Sequence, residues 1–348
     1  MNNFTHLEQA TGRFITAADK EYLFFGGTSY LGLATDQAYA SIFMSGIQQY
    51  GINNGTSRNN NVQQAIFDQA EDYAAKRFGF EASLLLSSGY LAAQFLVRTL
   101  AAEGEVLHAP SCHPSLWLDE KPTATGSFVD WAAAAVAYIN QSPQTSFIIV
   151  SNSLDNMKPE IYDFTVFRHI DPKKKVVLLL DDSHGIGVLR KNGISLDKGS
   201  FQETNIELIV VASLAKGLAT DAGLILADES RIKSLKRSNF YTGASPSSPA
   251  SLYAFVYGEQ IYLEQFQKLQ HNIRYFRARI ASQLNTASNF PVFSSADPSL
   301  YARLMDAGIL VSSFPYPLAT DALLNRIVVN AHHTEADLDR LSHAIGIY

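Results

Sequence analysis

Between residues 84 and 227 the chain alternates short apolar runs with helical or loop segments. The runs are Leu84–Leu86, Val106–Leu107, Phe147–Val150, Val176–Leu180, Leu208–Val211 and Leu224–Ala227. Runs this short, without polar alternation, predict strands covered on both faces, as in a mostly parallel sheet flanked by helices. Several end in polar residues: Ser87-Ser88-Gly89, Ser151-Asn152, Asp181-Asp182 and Ser213. Ligands of open α/β sheets bind beyond the carboxyl ends of strands, so these ends mark the expected site. Before this region, the first forty residues read as irregular, with GGTSYLGLA (26–34) as a loop. Residues 62–78 carry helical spacing through Val62, Ile66, Ala70, Tyr73 and Ala74, and Gly79 is placed to stop that helix. After about residue 235 the pattern predicts a long helical segment over 250–285, strand-like runs at Ile309–Ser312 and Arg326–Asn330, and a last helix. Thr334-Glu335-Ala336-Asp337 resembles a capping box at the start of that helix. The expected division is an N-terminal segment (1–40), a large α/β domain (41–235) and a smaller C-terminal α+β domain (236–348).

Composition narrows the classes. Of 348 residues, 47% are hydrophobic and 17% charged, which supplies a large core and excludes a disordered chain. A net charge of −6 gives no electrostatic reason to expect nucleic acid or an anionic membrane as partner. The single cysteine, Cys112, cannot form an intrachain disulfide and fits a reducing compartment. The start, MNNFTHLEQATGRF, does not read as a signal peptide, and no apolar stretch approaches the length of a membrane span. The expectation is a cytoplasmic globular protein.

Three segments carry candidate chemistry. In VVLLLDDSHGIGVL (176–189) a buried strand delivers Asp181 and Asp182, followed by His184. An acid at such a position is costly unless it meets a cation or strong donors. Surface loop acids or a structural ion pair account for it as well as a charged ring nitrogen does; a metal lacks further ligands nearby. In VVASLAKGLATDAGLILAD (210–228), Lys216 follows a buried strand among Ala, Gly and Leu. Such surroundings disfavour the charged amine, as a Schiff-base lysine requires, although lone lysines are far more often exposed on a first helical turn. In LLLSSGYLAAQFLVRTLAAE (84–103) a strand passes through Gly89 and Tyr90 into a helix, a junction whose backbone N–H groups suit phosphate. His108 and His113 flank Cys112 without the pattern of a nucleophile triad, which favours a buried neutral cysteine with a packing histidine.

In combination, the acid at a strand end, the lysine thirty-five residues later, the upstream Ser-Gly-aromatic turn and the intervening histidine resemble the fold-type I pyridoxal-phosphate (PLP) enzymes. More narrowly the chain resembles the α-oxoamine synthases, from SYLGLA (29–34) to NRIVVNAHHTEADLDRL (325–341), with NGTSR (54–58) similar to the family's Gly-Ser-Arg turn and DDSHGIGVL similar to its oxononanoate-synthase form. The resemblance implies a large domain with a mostly parallel, seven-stranded-type sheet and a smaller C-terminal α+β domain. It implies a homodimer that uses PLP to condense an amino acid with an acyl thioester, with loss of carbon dioxide. A class I/II aminotransferase and a non-catalytic PLP-binding homologue are the alternatives. By position, Lys216 matches the lysine that bonds the cofactor, Asp181 the acid on the pyridine nitrogen, and His184 the histidine near the phenolic oxygen. His113 matches the histidine that stacks on the ring, Ser88, Gly89 and Tyr90 the phosphate turn, and Ser213 the hydroxyl residue before the lysine. Arg326 matches the arginine for the amino-acid carboxylate. Asn152 stands where the family commonly has an acid, and Asn156-Met157-Lys158-Pro159 where it has Ser-Met-Asp-Gly.

Overall fold

The computed structural model describes residues 4–201, 204–280, 284–315, 320 and 323–346. All six apolar runs are strands of one sheet, in the order Ala82–Leu86, Gly223–Ala227, Ile206–Ser213, Lys175–Asp181, Ser146–Asn152, Glu105–His108. Three pairings are parallel, and Gly223–Ala227 runs antiparallel to both its neighbours. The sheet is mostly parallel as expected, with six strands rather than seven among the described residues. Its residues alternate between two cores, which explains why no polar alternation is visible. Leu85, Val210, Ala212, Leu224 and Leu226 face one core, while Leu84, Leu86, Ile209, Val211 and Ile225 face the other.

The second sheet corrects the reading of the N-terminal residues. Phe14–Ala17 and Lys20–Phe25 form a hairpin, and Lys20–Phe25 pairs in parallel with Ile309–Pro315. The order continues through Leu323–Val328, Val292–Ser295 and Asn285–Thr286. The two-residue turn places Ala18 and Asp19 at φ of 50° and 59°, a conformation usually signalled by Asn-Gly or Asp-Gly. With Ala-Asp there instead, the hairpin left no mark in the sequence.

Two helix boundaries also differ from expectation. The helix expected from Val62 runs from Ile66 to Phe78, with Val62 exposed, and Gly79 closes it at φ 73°. The segment expected over 250–285 is two helices, Pro249–Tyr257 and Glu259–Arg277, broken at Gly258. A Cβ there would lie 2.7 Å from the Ala254 carbonyl and 2.9 Å from the Tyr39 ring. The last helix, Glu335–Ile345, opens on the expected capping box of Thr334 and Asp337. Among the described residues no helix is long and apolar enough to cross a membrane.

Candidate active site

Parallel register brings Asn152 and Asp181 side by side at the carboxyl ends of their strands, and the neighbouring strand ends nearby at Ser213. One Asp181 oxygen accepts the Ser183 backbone N–H at 2.9 Å. Lys216 lies three residues beyond Ser213, in a turn rather than on the first turn of a helix. His113, Asn152, Leu154, Asn156, Asp181, His184 and Lys216 line one narrow cleft of about 10 Å³. A larger cavity of about 380 Å³, with Trp117, Lys121 and Lys158 in its walls, meets this cleft at Asn156. The titratable groups converge in the narrower space, so the chemistry belongs there.

A line of contacts runs out of the cleft. The Lys216 amine lies 3.0 Å from His184 Nε2, and His184 Nδ1 lies 2.6 Å from the Tyr30 hydroxyl. That hydroxyl accepts from the Arg326 guanidinium at 2.9 Å. Arg326 is buried on Leu323–Val328, and its other nitrogens donate to the Asn156 and Gly27 carbonyls at 3.3 Å each. Burial lowers the Lys216 pKa, opposed by Asp181 and reinforced by Arg326. Burial, then Lys216 and Arg326, hold the His184 imidazole well below its ordinary value. Burial raises Tyr30, with Arg326 opposing.

His113 is fixed from two sides. Its Nδ1 is 2.8 Å from the Ser115 hydroxyl, and its backbone N–H donates to Asn152 Oδ1 at 3.0 Å. The Asn152 amide in turn donates to the Ser111 carbonyl at 2.7 Å, holding a loop in which Ser111 has φ 59°. Burial lowers the His113 pKa, with Asp181 opposing and Lys216 assisting.

The Ser-Gly-Tyr junction packs tightly against the same strand ends. Ser88 caps the helix Gly89–Leu100, accepting from Leu91 N–H at 3.2 Å. A Cβ on Gly89 would lie 2.4 Å from Ser213 Cβ, and one on Gly223 would lie 2.1 Å from the Ser88 carbonyl oxygen. Backbone therefore approaches backbone here, and the first turn of the helix carries no acidic residue. Tyr90, the next residue, is exposed.

The structure thus brings Asp181, His184, Lys216 and His113 into one cleft, with Ser88, Gly89 and Ser213 at the adjoining junction. Arg326 reaches the group through Tyr30. The two adjacent acids separate: Asp182 is buried, bonded by Ser153 Oγ at 2.6 Å, by Ser195 N–H at 2.9 Å and by the Ser195 hydroxyl. Burial pushes its carboxyl up to about 6 despite these bonds. Cys112 is buried, donates to the Val150 carbonyl at 3.2 Å, and its thiol is pushed up to about 12, so it is no nucleophile. His108 bonds the Leu116 carbonyl at 3.0 Å. Tyr30 was not singled out from the sequence; its position inside SYLGLA, one of the segments that carry the resemblance, was the available signal.

No protein-family model matches the chain. The 8-amino-7-oxononanoate synthase of Methylococcus capsulatus is 26% identical, over 92% of this chain and 88% of its own. That of Nitrosomonas europaea is 24% identical, over 97% and 92%. Among solved structures, a serine palmitoyltransferase of S. paucimobilis carrying a PLP–myriocin aldimine superposes with a TM-score of 0.81 at 17% identity, covering 97% of this chain and 91% of that one. The 8-amino-7-oxononanoate synthase of Francisella tularensis superposes with a TM-score of 0.65 at 20% identity, over 93% and 96%. The structural likeness establishes a shared fold, and the sequence similarity follows that fold through nearly the full length of both partners. The chain is thus similar to 8-amino-7-oxononanoate synthases over nearly its full length, and it shares the fold of the serine palmitoyltransferase and 8-amino-7-oxononanoate synthase structures.

Proposed function

We propose that the protein is a PLP-dependent acyltransferase that joins an amino acid to an acyl thioester with loss of carbon dioxide. The observation that carries this reading is a cleft lined by a buried amine and an acid at a strand end, joined through Tyr30 and His184 to a buried arginine without a carboxylate partner among the described residues. The residues fit the cofactor. The Gly89–Ser213 approach leaves backbone N–H groups at a helix start for a phosphate. Asp181 offers a carboxylate to a ring nitrogen, and Lys216 offers an amine of lowered basicity for covalent attachment. Bound there, the cofactor supplies an electron sink for the bond broken at the substrate Cα.

The chain's own residues supply the rest. Arg326 has five N–H donors, of which three are used by Asn156, Gly27 and Tyr30, so two remain for a substrate carboxylate. Holding that carboxylate would orient the substrate Cα, and so select which of its bonds breaks. The Lys216 amine, of lowered basicity, would move the proton at the substrate Cα as base and then as acid. His113, held by Asn152, would cover a ring bound in the cleft, and His184 stands beside the lysine. The enzyme works as a cytoplasmic homodimer in this reading, and a monomer by light scattering that still binds PLP would refute the dimer.

Incubation with L-alanine and medium-chain acyl thioesters is expected to release thiol and carbon dioxide together. Borohydride is expected to fix the visible cofactor band on Lys216. Conversion of a 2-oxo acid to an amino acid, with no thiol released from any thioester, would replace the synthase reading with an aminotransferase.

A further inference from the structure

The line Arg326–Tyr30–His184–Lys216 has a direction that donor and acceptor counting fixes. A guanidinium only donates, so the Tyr30 oxygen accepts from Arg326 at 2.9 Å. Tyr30 is fully buried, and among the described residues its hydroxyl has one further polar neighbour, His184 Nδ1 at 2.6 Å. An O–H buried without an acceptor is costly, so the Tyr30 proton points to Nδ1. Nδ1 then accepts, the imidazole is neutral, and its one N–H is on Nε2. Nε2–H faces the Lys216 amine at 3.0 Å, so that nitrogen must accept, which an ammonium cannot do.

We propose that Tyr30 is a positioning residue which relays the donor-only character of Arg326 through His184, so that Lys216 is presented as a neutral amine with its lone pair free. The proposal deepens the proposed function, since it rests on Lys216 as the cofactor lysine. The charged and titratable groups around the pair agree with it. Arg326 and His113 add no negative charge, and Asp181 alone favours an ammonium. A carboxylate drawn to the two remaining Arg326 donors would load the same line from its far end, linking substrate arrival to the lysine.

The test needs no cofactor. Reductive methylation of the full chain with formaldehyde proceeds through the neutral amine, and peptide mass spectrometry reads it at Lys216 across a pH series, with exposed Lys173 as internal standard. Tyr30→Phe keeps the ring but frees His184 to turn an acceptor toward Lys216. It is expected to raise the pH of half-maximal labelling by about one unit, which makes labelling about tenfold slower below it. His184→Gln presents an acceptor and a donor in the same order and is expected to keep the wild-type profile. His184→Leu is expected to shift as Tyr30→Phe does. Identical profiles for wild type and Tyr30→Phe would overturn the relay, as would equal shifts in His184→Gln and His184→Leu. The last pair decides the matter by itself if Tyr30→Phe does not fold. PLP that never attaches to Lys216 in the wild type would defeat the functional reading instead, and the methylation profiles would be unaffected by that result.

Discussion

Two clusters of buried charge lie in this molecule, and they are built on opposite plans. Around Glu71 the charges close on one another. One carboxylate oxygen accepts from Leu85 N–H at 2.9 Å and the Tyr241 hydroxyl at 3.0 Å, with Arg58 at 3.5 Å. The other oxygen pairs with Lys236 at 2.5 Å. Arg58 also donates to the Leu85 carbonyl at 2.8 Å and lies over the Tyr241 ring at 4.5 Å. Both carboxylate oxygens are engaged within the chain, and the cluster clamps the strand Ala82–Leu86. At the cleft, the Arg326 guanidinium and the Lys216 amine share one line of contacts, and the ion pairs among the described residues do not include either of them. A buried charge compensated within the chain holds the fold together. A buried cation without its counter-charge is stable only as a site for an anion or as a neutral amine.

The contrast is sharpest in variants that separate activity from stability. Lys216→Ala is expected to lower turnover by about a thousandfold or more, through loss of the acid–base group, and to abolish covalent cofactor capture. Its stability in denaturant is expected to stay close to the wild type, because the Lys216 amine holds no carboxylate in an ion pair among the described residues. Glu71→Gln is expected to do the reverse. Leaving Arg58 buried without its carboxylate costs about 3–5 kcal/mol in urea unfolding, while the folded fraction keeps its cofactor spectrum. A Glu71→Gln protein with wild-type stability but no cofactor capture would erase the distinction.

Asp182 tests an intermediate plan, a buried acid with hydroxyl and amide partners but no cation. Its folded pKa of about 6 stands above the model-compound value of 3.8. The native state therefore holds the proton more tightly than the unfolded chain. This contribution to stability is full below about pH 4, falls as pH rises toward 6, and is lost above that. The difference amounts to about 3 kcal/mol. Asp182→Asn does not titrate, so the stability of wild type relative to the variant is expected to decline across that window. A difference that stays flat with pH, measured by urea unfolding at each pH, would place a counter-charge near Asp182 that the contacts do not show.

The sequence made the central sheet legible because both its faces are covered, and continuous apolar runs mark that condition. Asp181 follows such a run directly, and Lys216 lies a short turn beyond the strand that ends at Ser213. What escaped notice depends on residues distant in sequence. The N-terminal hairpin turns on Ala18-Asp19, which carry no turn signal, and it gains its place only by pairing with Ile309–Pro315. Tyr30 acts through partners 154 and 296 positions away. Asn152 reads as a changed acid, yet in the fold it clamps the His113 loop. Motif position singled out Asp181 in the sequence, whereas the burial of Asp182 against Ser153 and Ser195 shows only in the fold.

The smallest effect is expected at Arg326, and it bears most directly on what the uncompensated charge is for. Three of its donors rest on neutral oxygens, so removing the guanidinium deprives no carboxylate of a partner. Arg326→Gln should therefore cost little stability, no more than its hydrogen bonds to neutral oxygens are worth. Binding should respond differently. A charged hydrogen bond to a substrate carboxylate is worth about 1.5–3 kcal/mol, so KM for the amino acid is expected to rise about 10- to 100-fold. KM for the acyl thioester should hold, because Arg326 is assigned to the other substrate. A split of this kind separates an anion site from a structural arginine. If Arg326→Gln instead raised both KM values equally and lowered the unfolding midpoint as Glu71→Gln does, Arg326 would belong with the closed cluster, and the substrate carboxylate would have to be held elsewhere.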